Sequence, residues 1–242
     1  MKLKLIALDL DGTTLNKKGQ LTIRTVNALK NAVKSGIHVV IATGRTFSSL
    51  PKEVLELEGL EYVITSNGAH ITELKNNRRI YSNYIAPQAI EKVVAVLRNI
   101  ECSISIEAFV DGVAYMDRKE YDEVVNHGSA YRDVNYIINT RIPVNSLFDF
   151  MFEYIDQIEN ININFEFFED KNIVGKILKR INNITLTSSF VHNWEIGGET
   201  TSKGEALSYL MKIMEIDKSQ MIAFGDSPND IAMIKLAEVG IA

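Results

Sequence analysis

Cysteine is nearly missing: Cys102 stands alone in 242 residues, so no internal disulfide can form and a reducing compartment is expected. Long apolar runs are missing too. None approaches the roughly 18 to 20 residues that a membrane span takes, and no charged-then-apolar leader opens the chain, so a cytoplasmic protein without a membrane partner is expected. An excess of basic charge is also absent. The 31 acids and 26 bases are interspersed to a formal net charge of -5, which leaves no basic tail or stripe for a nucleic-acid partner. No internal repeat or low-complexity tract interrupts the chain. With 46% hydrophobic residues the chain can fill a substantial core, and its length suits one large domain or two smaller ones.

What the chain does have is alternation. Apolar runs at residues 3–8, 39–42 and 62–65 are separated by amphipathic segments at 22–35 and 46–57, a βαβαβ order. Ile23, Val26, Leu29 and Val33 recur at helical spacing, with Thr22 placed to cap the start and Gly36 to stop the end. Phe47, Leu50, Val54 and Leu57 repeat that spacing. Crossovers of this length imply a parallel sheet sandwiched between helices. From about Asn83 to Asn193 the pattern changes. Segments 103–108 and 162–167 alternate as half-exposed antiparallel strands do, and helical stripes lie between them: Ile90, Val93, Val94 and Leu97, then Ile173, Ile177, Leu178 and Ile181. The Asn-rich stretch 160–164 reflects either an AT-rich genome or a polar strand edge and carries no functional weight. The α/β alternation resumes with Ala206, Leu207, Leu210 and Met214 on a helix and an apolar strand at 221–224. The expected fold class is α/β: a Rossmann-like parallel-sheet core with helices on both faces, from residues 1–82 and 194–242, and an α+β domain inserted at 83–193. Hinges are expected at the two crossings, 82–87 and 192–198.

Acids collect where these strands end. Asp9-Leu10-Asp11-Gly12-Thr13 follows the first apolar run, and Gly225-Asp226-Ser227-Pro228-Asn229-Asp230 follows the strand at 221–224. In open α/β sheets ligands bind at those carboxyl ends. Residues i and i+2 of an extended segment project to one side, so Asp9 and Asp11 repel each other unless a cation compensates them. Magnesium prefers hard oxygen ligands, usually one or two carboxylates plus a substrate phosphate, and Asp9, Asp11 and Asp226 form the candidate set. Each signal has a plainer reading. A lone Asp-x-Asp pair is often a solvated loop, and Ser227 or Asp230 can simply cap a helix. Two further elements match an anion: Thr43-Gly44-Arg45 after the strand at 39–42, and Lys203 at a helix start. Thr43 offers a hydroxyl and a backbone amide, whereas a lone lysine such as Lys203 is more often solvated. Ser66-Asn67-Gly68-Ala69 repeats the pattern of polar residues at a strand end, or is merely a turn.

On these residues the chain resembles the haloacid dehalogenase-like hydrolase superfamily, and within it the Cof-type, sucrose-phosphatase-like phosphatases with a large α+β cap. Asp9-Leu10-Asp11-Gly12-Thr13-Thr14-Leu15 looks like that family's first motif, Thr43-Gly44-Arg45 its second, Lys203-Gly204 its third and Gly225 to Asp230 its fourth. The resemblance implies a magnesium-dependent phosphatase acting on a small phosphorylated metabolite: a sugar phosphate, a nucleotide or a phosphorylated cofactor. It implies Asp9 as the nucleophile that becomes an aspartyl-phosphate, and Asp11 as general acid and base. Magnesium would sit on Asp9, the backbone carbonyl of Asp11 and Asp226, steered by Asp230 from close by. Thr43, Gly44 and Lys203 would hold the phosphate, with Asn229 nearby, and the cap would choose the leaving group. Members of the family usually continue beyond Val239-Gly240-Ile241-Ala242, so the chain is expected to be short at its C-terminus. The rivals are a phosphomutase or phosphotransferase on the same core, a receiver-type signalling domain, and a non-catalytic phospho-ligand binding protein. A receiver is roughly half this length and carries its acceptor after a middle strand, whereas Asp9 follows the first.

Overall fold

Apolar runs that stop at a polar residue become the buried strands at the centre of a sheet, and its edge strand Val239–Ile241 stays exposed. Leu5–Leu8 (β1), His38–Ala42 (β2), Leu60–Thr65 (β3), Met221–Phe224 (β12) and Val239–Ile241 (β13) run parallel in one sheet. His70–Glu73 (β4) and Arg78–Ser82 (β5) extend it antiparallel, giving the order β13-β12-β1-β2-β3-β4-β5. This comes from a computed structural model, which describes residues 2–242. The chain forms two compact units: one takes the chain up to Arg45, Leu50–Ser82 and Thr201–Ala242, the other Thr46–Ser49 and Asn83–Thr200.

In the first unit, Ile23–Lys34 (α1) is capped as expected, the Thr22 hydroxyl accepting the Thr25 N–H at 3.1 Å. The segment 46–57 is not the single helix its spacing suggests. Phe47–Ser49 makes one 3-10 turn and a short helix, Lys52–Leu55 (α2), starts only after Pro51, which has no N–H to donate and disfavours helix in the residue before it. Leu5, Ala7, Val40, Ala42 and Ile64 pack against Ala206, Leu207, Leu210 and Met211 of Lys203–Ile213 (α8) and Met233 of Ile231–Leu236 (α9). Leu8, Val39, Ile41 and Val63 alternate to the opposite face, where α1 contacts β2. This is the expected α/β class with one addition, the antiparallel β4 and β5.

The second unit is a six-stranded sheet with helices. Pro87–Leu97 (α3) leads into Ile104–Val110 (β6), Val113–Asp117 (β7), Arg118–His127 (α4), Val134–Thr140 (α5), Arg141–Val144 (β8) and Leu147–Glu153 (α6). Ile158–Phe165 (β9), Phe168–Leu178 (α7), Ile184–Thr187 (β10) and Asn193–Gly198 (β11) complete it, in the order β10-β11-β9-β6-β7-β8. All pairs are antiparallel except β7 with β8. One face carries the core: Ile106, Ala108, Ile161, Ile163 and Phe165 meet Ile90, Val93, Val94 and Leu97 of α3.

Three expectations change here. Residues 160–164 are not a polar edge, because β9 is an interior strand and all eight of its residues are buried. Ile173 and Ile177 are exposed, and α7 instead buries Val174, Gly175 and Leu178. Trp194 explains that choice: its Nε1–H donates to Lys171 O at 2.8 Å, and a Cβ on Gly175 would lie 2.7 Å from that nitrogen. Finally, the second unit runs on past 193 to Thr200, and residues 193–198 are a strand of its sheet, β11 pairing with β9 on one side and β10 on the other. Among the described residues no helix is long and apolar enough to cross a membrane.

Candidate active site

Asp9 leaves β1 with 5% of its surface exposed, and its N–H donates to Phe224 O at 3.0 Å, so β1 and β12 end side by side. The Thr14 hydroxyl returns to donate to Asp9 O. Lys203 opens α8, where the Ser202 side chain accepts the Glu205 N–H, and its ammonium is fully buried. Lys203 Nζ donates to Asp9 Oδ1 and to Asp230 Oδ1, both at 2.6 Å. Asp230 Oδ2 accepts the backbone N–H groups of Asp226 and Ser227, both at 3.1 Å. One Asp230 carboxylate thus holds the turn through its backbone and reaches Lys203 at the same time.

Burial sets the protonation behaviour of this trio. Desolvation pushes Asp9 up to about 6, against the pull of Lys203 and with the help of Asp230 and Asp11. Burial alone would lower the Lys203 pKa, but Asp9 and Asp230 more than offset it and hold the ammonium above its ordinary value.

Asp9, Asp226 and Asp230 each bring one carboxylate oxygen within 4.8 Å of the others. One ammonium contacts two of these three carboxylates, and every donor is a hard oxygen, a set that fits a magnesium-like cation. Asp230 spends both oxygens on Lys203 and the backbone, so Asp9 and the exposed Asp226 are the carboxylates left for an ion. Asp226 Oδ1 accepts the Thr13 hydroxyl at 3.1 Å. Gly12, at φ +84°, brings the two loops together: a Cβ there would lie 2.3 Å from Asp226 Oδ2. The Asp11 carboxylate is not part of this group. Arg45 clamps it, Nε donating to Oδ2 at 2.7 Å and Nη2 to Oδ1 at 2.6 Å, so only the Asp11 backbone carbonyl remains a ligand candidate.

Thr43 sits at the end of β2, 1% exposed. Its backbone N–H is not available to an anion, because it continues the sheet ladder to Ile64 O at 2.9 Å. The hydroxyl accepts the Arg45 N–H at 3.1 Å and keeps its own hydrogen to donate. Gly44, half-buried, is the first residue past the ladder. Asn229 is buried beside Asn67, its Nδ2 donating to Asn67 Oδ1 at 2.9 Å. The sequence places Arg45 only within an anion-matching element, not against Asp11, and names no separate role for Thr13, Thr14 or Asn67. A polar side chain directly after a strand was the available signal for Asn67.

A sequence model described as haloacid dehalogenase-like hydrolase matches residues 6–242. The phosphatase YwpJ of Bacillus subtilis is 34% identical, over 99% of this chain and 89% of that protein. A 5-amino-6-(5-phospho-D-ribitylamino)uracil phosphatase, YwtE, of the same organism is 29% identical, over 99% of this chain and 87% of its own. A solved structure of a haloacid dehalogenase-like hydrolase from B. subtilis superposes with a TM-score of 0.79 at 29% identity, over 97% of this chain and 87% of that one.

Proposed function

The chain belongs to the haloacid dehalogenase-like hydrolases and is a phosphatase, and from that premise we propose that it hydrolyses a small phosphomonoester in two steps through Asp9, with magnesium as cofactor. The observation that carries this reading is the buried Asp9–Lys203–Asp230 trio at the carboxyl ends of β1 and β12.

Lys203 fixes the Asp9 carboxylate through Oδ1, which leaves Oδ2 to attack phosphorus. As that bond forms, the bond from phosphorus to the leaving oxygen breaks, and Asp11 supplies the proton which that oxygen takes up. Asp11 then takes a proton from water, the water oxygen attacks phosphorus, and the Asp9 ester oxygen leaves with its electron pair, restoring the carboxylate. To carry a proton, Asp11 must free one of the oxygens now held by Arg45. An arriving phosphoryl group competes for the same guanidinium, so substrate entry and the release of Asp11 are coupled. The Thr43 hydroxyl, Gly44, Lys203 and Asn229 would hold the phosphoryl oxygens. Asp9, Asp226 and the Asp11 carbonyl would hold magnesium, positioned by Asp230. When bound, the ion supplies positive charge against the developing charge on the phosphoryl oxygens.

The test is phosphate release from an aryl phosphate and a panel of sugar phosphates, nucleotides and 5-amino-6-(5-phospho-D-ribitylamino)uracil, with and without magnesium. Release that needs magnesium and vanishes in Asp9→Asn is expected. Turnover persisting in excess chelator would overturn the metal assignment, and turnover by Asp9→Asn the covalent one.

A further inference from the structure

Ser66, Asn67 and Gly68 carry φ angles of +50°, +58° and +100° in succession. Glycine takes that region freely and asparagine tolerates it, but serine does so at a cost. The turn is held from several sides. The Ser66 N–H donates to Arg45 O at 2.9 Å and the Asn67 N–H to Thr43 O at 3.0 Å. At Gly68 a Cβ would lie 2.1 Å from the backbone oxygen of Ser202, so the turn touches the start of α8. From its centre the Asn67 side chain, 3% exposed, meets Asn229. The remaining amide atoms of the pair, Asn67 Nδ2 and Asn229 Oδ1, are buried with no hydrogen-bond partner. Two left-handed residues that are not glycine and two orphaned amide atoms are costs that folding alone does not require.

A carboxamide has nearly the same shape at its two ends, but one end donates and the other accepts. An anion needs the donor. In this pairing Asn67 Oδ1 accepts one Nδ2 hydrogen of Asn229, which leaves the second Nδ2 hydrogen of Asn229 to donate elsewhere. We propose that Asn67 is a positioning residue for phosphate recognition, fixing the Asn229 amide so that its second Nδ2 hydrogen, and not Oδ1, meets the phosphoryl group. The inference rests on the reading of Asn229 as a phosphate contact.

The test uses the full chain with magnesium, inhibition of aryl phosphate turnover by orthophosphate, and three variants: Asn67→Gly, which accepts the positive φ, Asn229→Ala, and the double variant. Asn67→Gly should weaken orthophosphate inhibition about tenfold, the scale of one hydrogen bond to a charged group, without lowering the unfolding temperature. In the Asn229→Ala background it should add nothing. Unchanged inhibition in Asn67→Gly beside weakened inhibition in Asn229→Ala overturns the positioning role and leaves the phosphate reading standing. Unchanged inhibition in Asn229→Ala removes both, and losses that multiply in the double variant show independent action and overturn the inference. Should Asn67→Gly fail to fold, NMR on the unsubstituted protein decides. Orthophosphate should shift one of the two Asn229 side-chain amide hydrogens, and movement of both or neither overturns the inference.

Discussion

Lys203 holds two buried carboxylates with one charge, so removing it leaves Asp9 and Asp230 facing each other without compensation. Lys203→Ala should lower stability by about 3–5 kcal/mol in cation-free buffer, and added magnesium should restore part of the loss in thermal unfolding. Asp9 adds a pH dependence. Its folded value of about 6 lies above the ordinary 3.8, so the stability it contributes is complete below about pH 4 and is lost as pH rises through 6. Melting temperatures measured from pH 4 to 7 without magnesium should show that decline, and Asp9→Asn should remove it. Arg45 presents the opposite case. Its partner Asp11 has a side chain 54% exposed, so Arg45→Lys should change stability by less than about 1 kcal/mol while KM rises, because an ammonium cannot offer an arriving phosphoryl group the two-pronged grip that Arg45 now makes on Asp11. Proximity of Asp9 and Asp11 was legible in the sequence because they are two positions apart. The arginine that takes the second of them was not, because nothing local to Asp11 names it.

At the level of elements, periodicity located α1, α3, α7 and α8, did not announce α4, α5 or α6, and failed where a neighbour decided the face. The first helix and its Thr22 cap lie where their spacing places them. Of the stripe Ile173, Ile177, Leu178 and Ile181, the first two fail and the last two pack inward, because Trp194 of β11 lies over Gly175 and draws that side of α7 inward. The segment 46–57 fails for a local reason that was present in the sequence: Pro51 outweighs four apolar residues at helical spacing. Turns repay a similar comparison. Gly68→Ala places a methyl against the Ser202 backbone, which cannot move without displacing the start of α8, so loss of phosphatase activity and about 2–4 kcal/mol of stability is expected. Gly19, at φ +71° with nothing within 4 Å, should cost only about 1 kcal/mol as alanine and leave turnover intact. Side-by-side unfolding curves and initial rates of the two variants check both statements.

Across the whole molecule, polar burial is as consequential as the apolar cores. In the second unit Glu107 is fully buried, with Arg141 Nη2 at 2.8 Å from Oε2, Arg132 Nη2 bonded to Oε1, and Asn162 Nδ2 donating at 3.0 Å. Burial would raise its pKa, but the two guanidinium groups more than offset this and hold it near 2, below the ordinary 4.5. Its stabilising contribution is therefore complete above about pH 4.5 and is lost as pH falls toward 2. Glu107→Gln should cost about 3–5 kcal/mol at neutral pH, and hydrogen exchange should show faster opening in β6 and β9. The sequence by itself determined the α/β alternation, the inserted α+β region and the acids at strand ends, because periodicity and strand-to-loop transitions are properties of neighbouring residues. Only the tertiary structure decided the partners: Lys203 with Asp9, 194 positions apart, Asn229 with Asn67, 162 apart, and the interior place of the asparagines of β9. A buried polar group takes its meaning from what approaches it, and here the approaching residues come from distant parts of the chain.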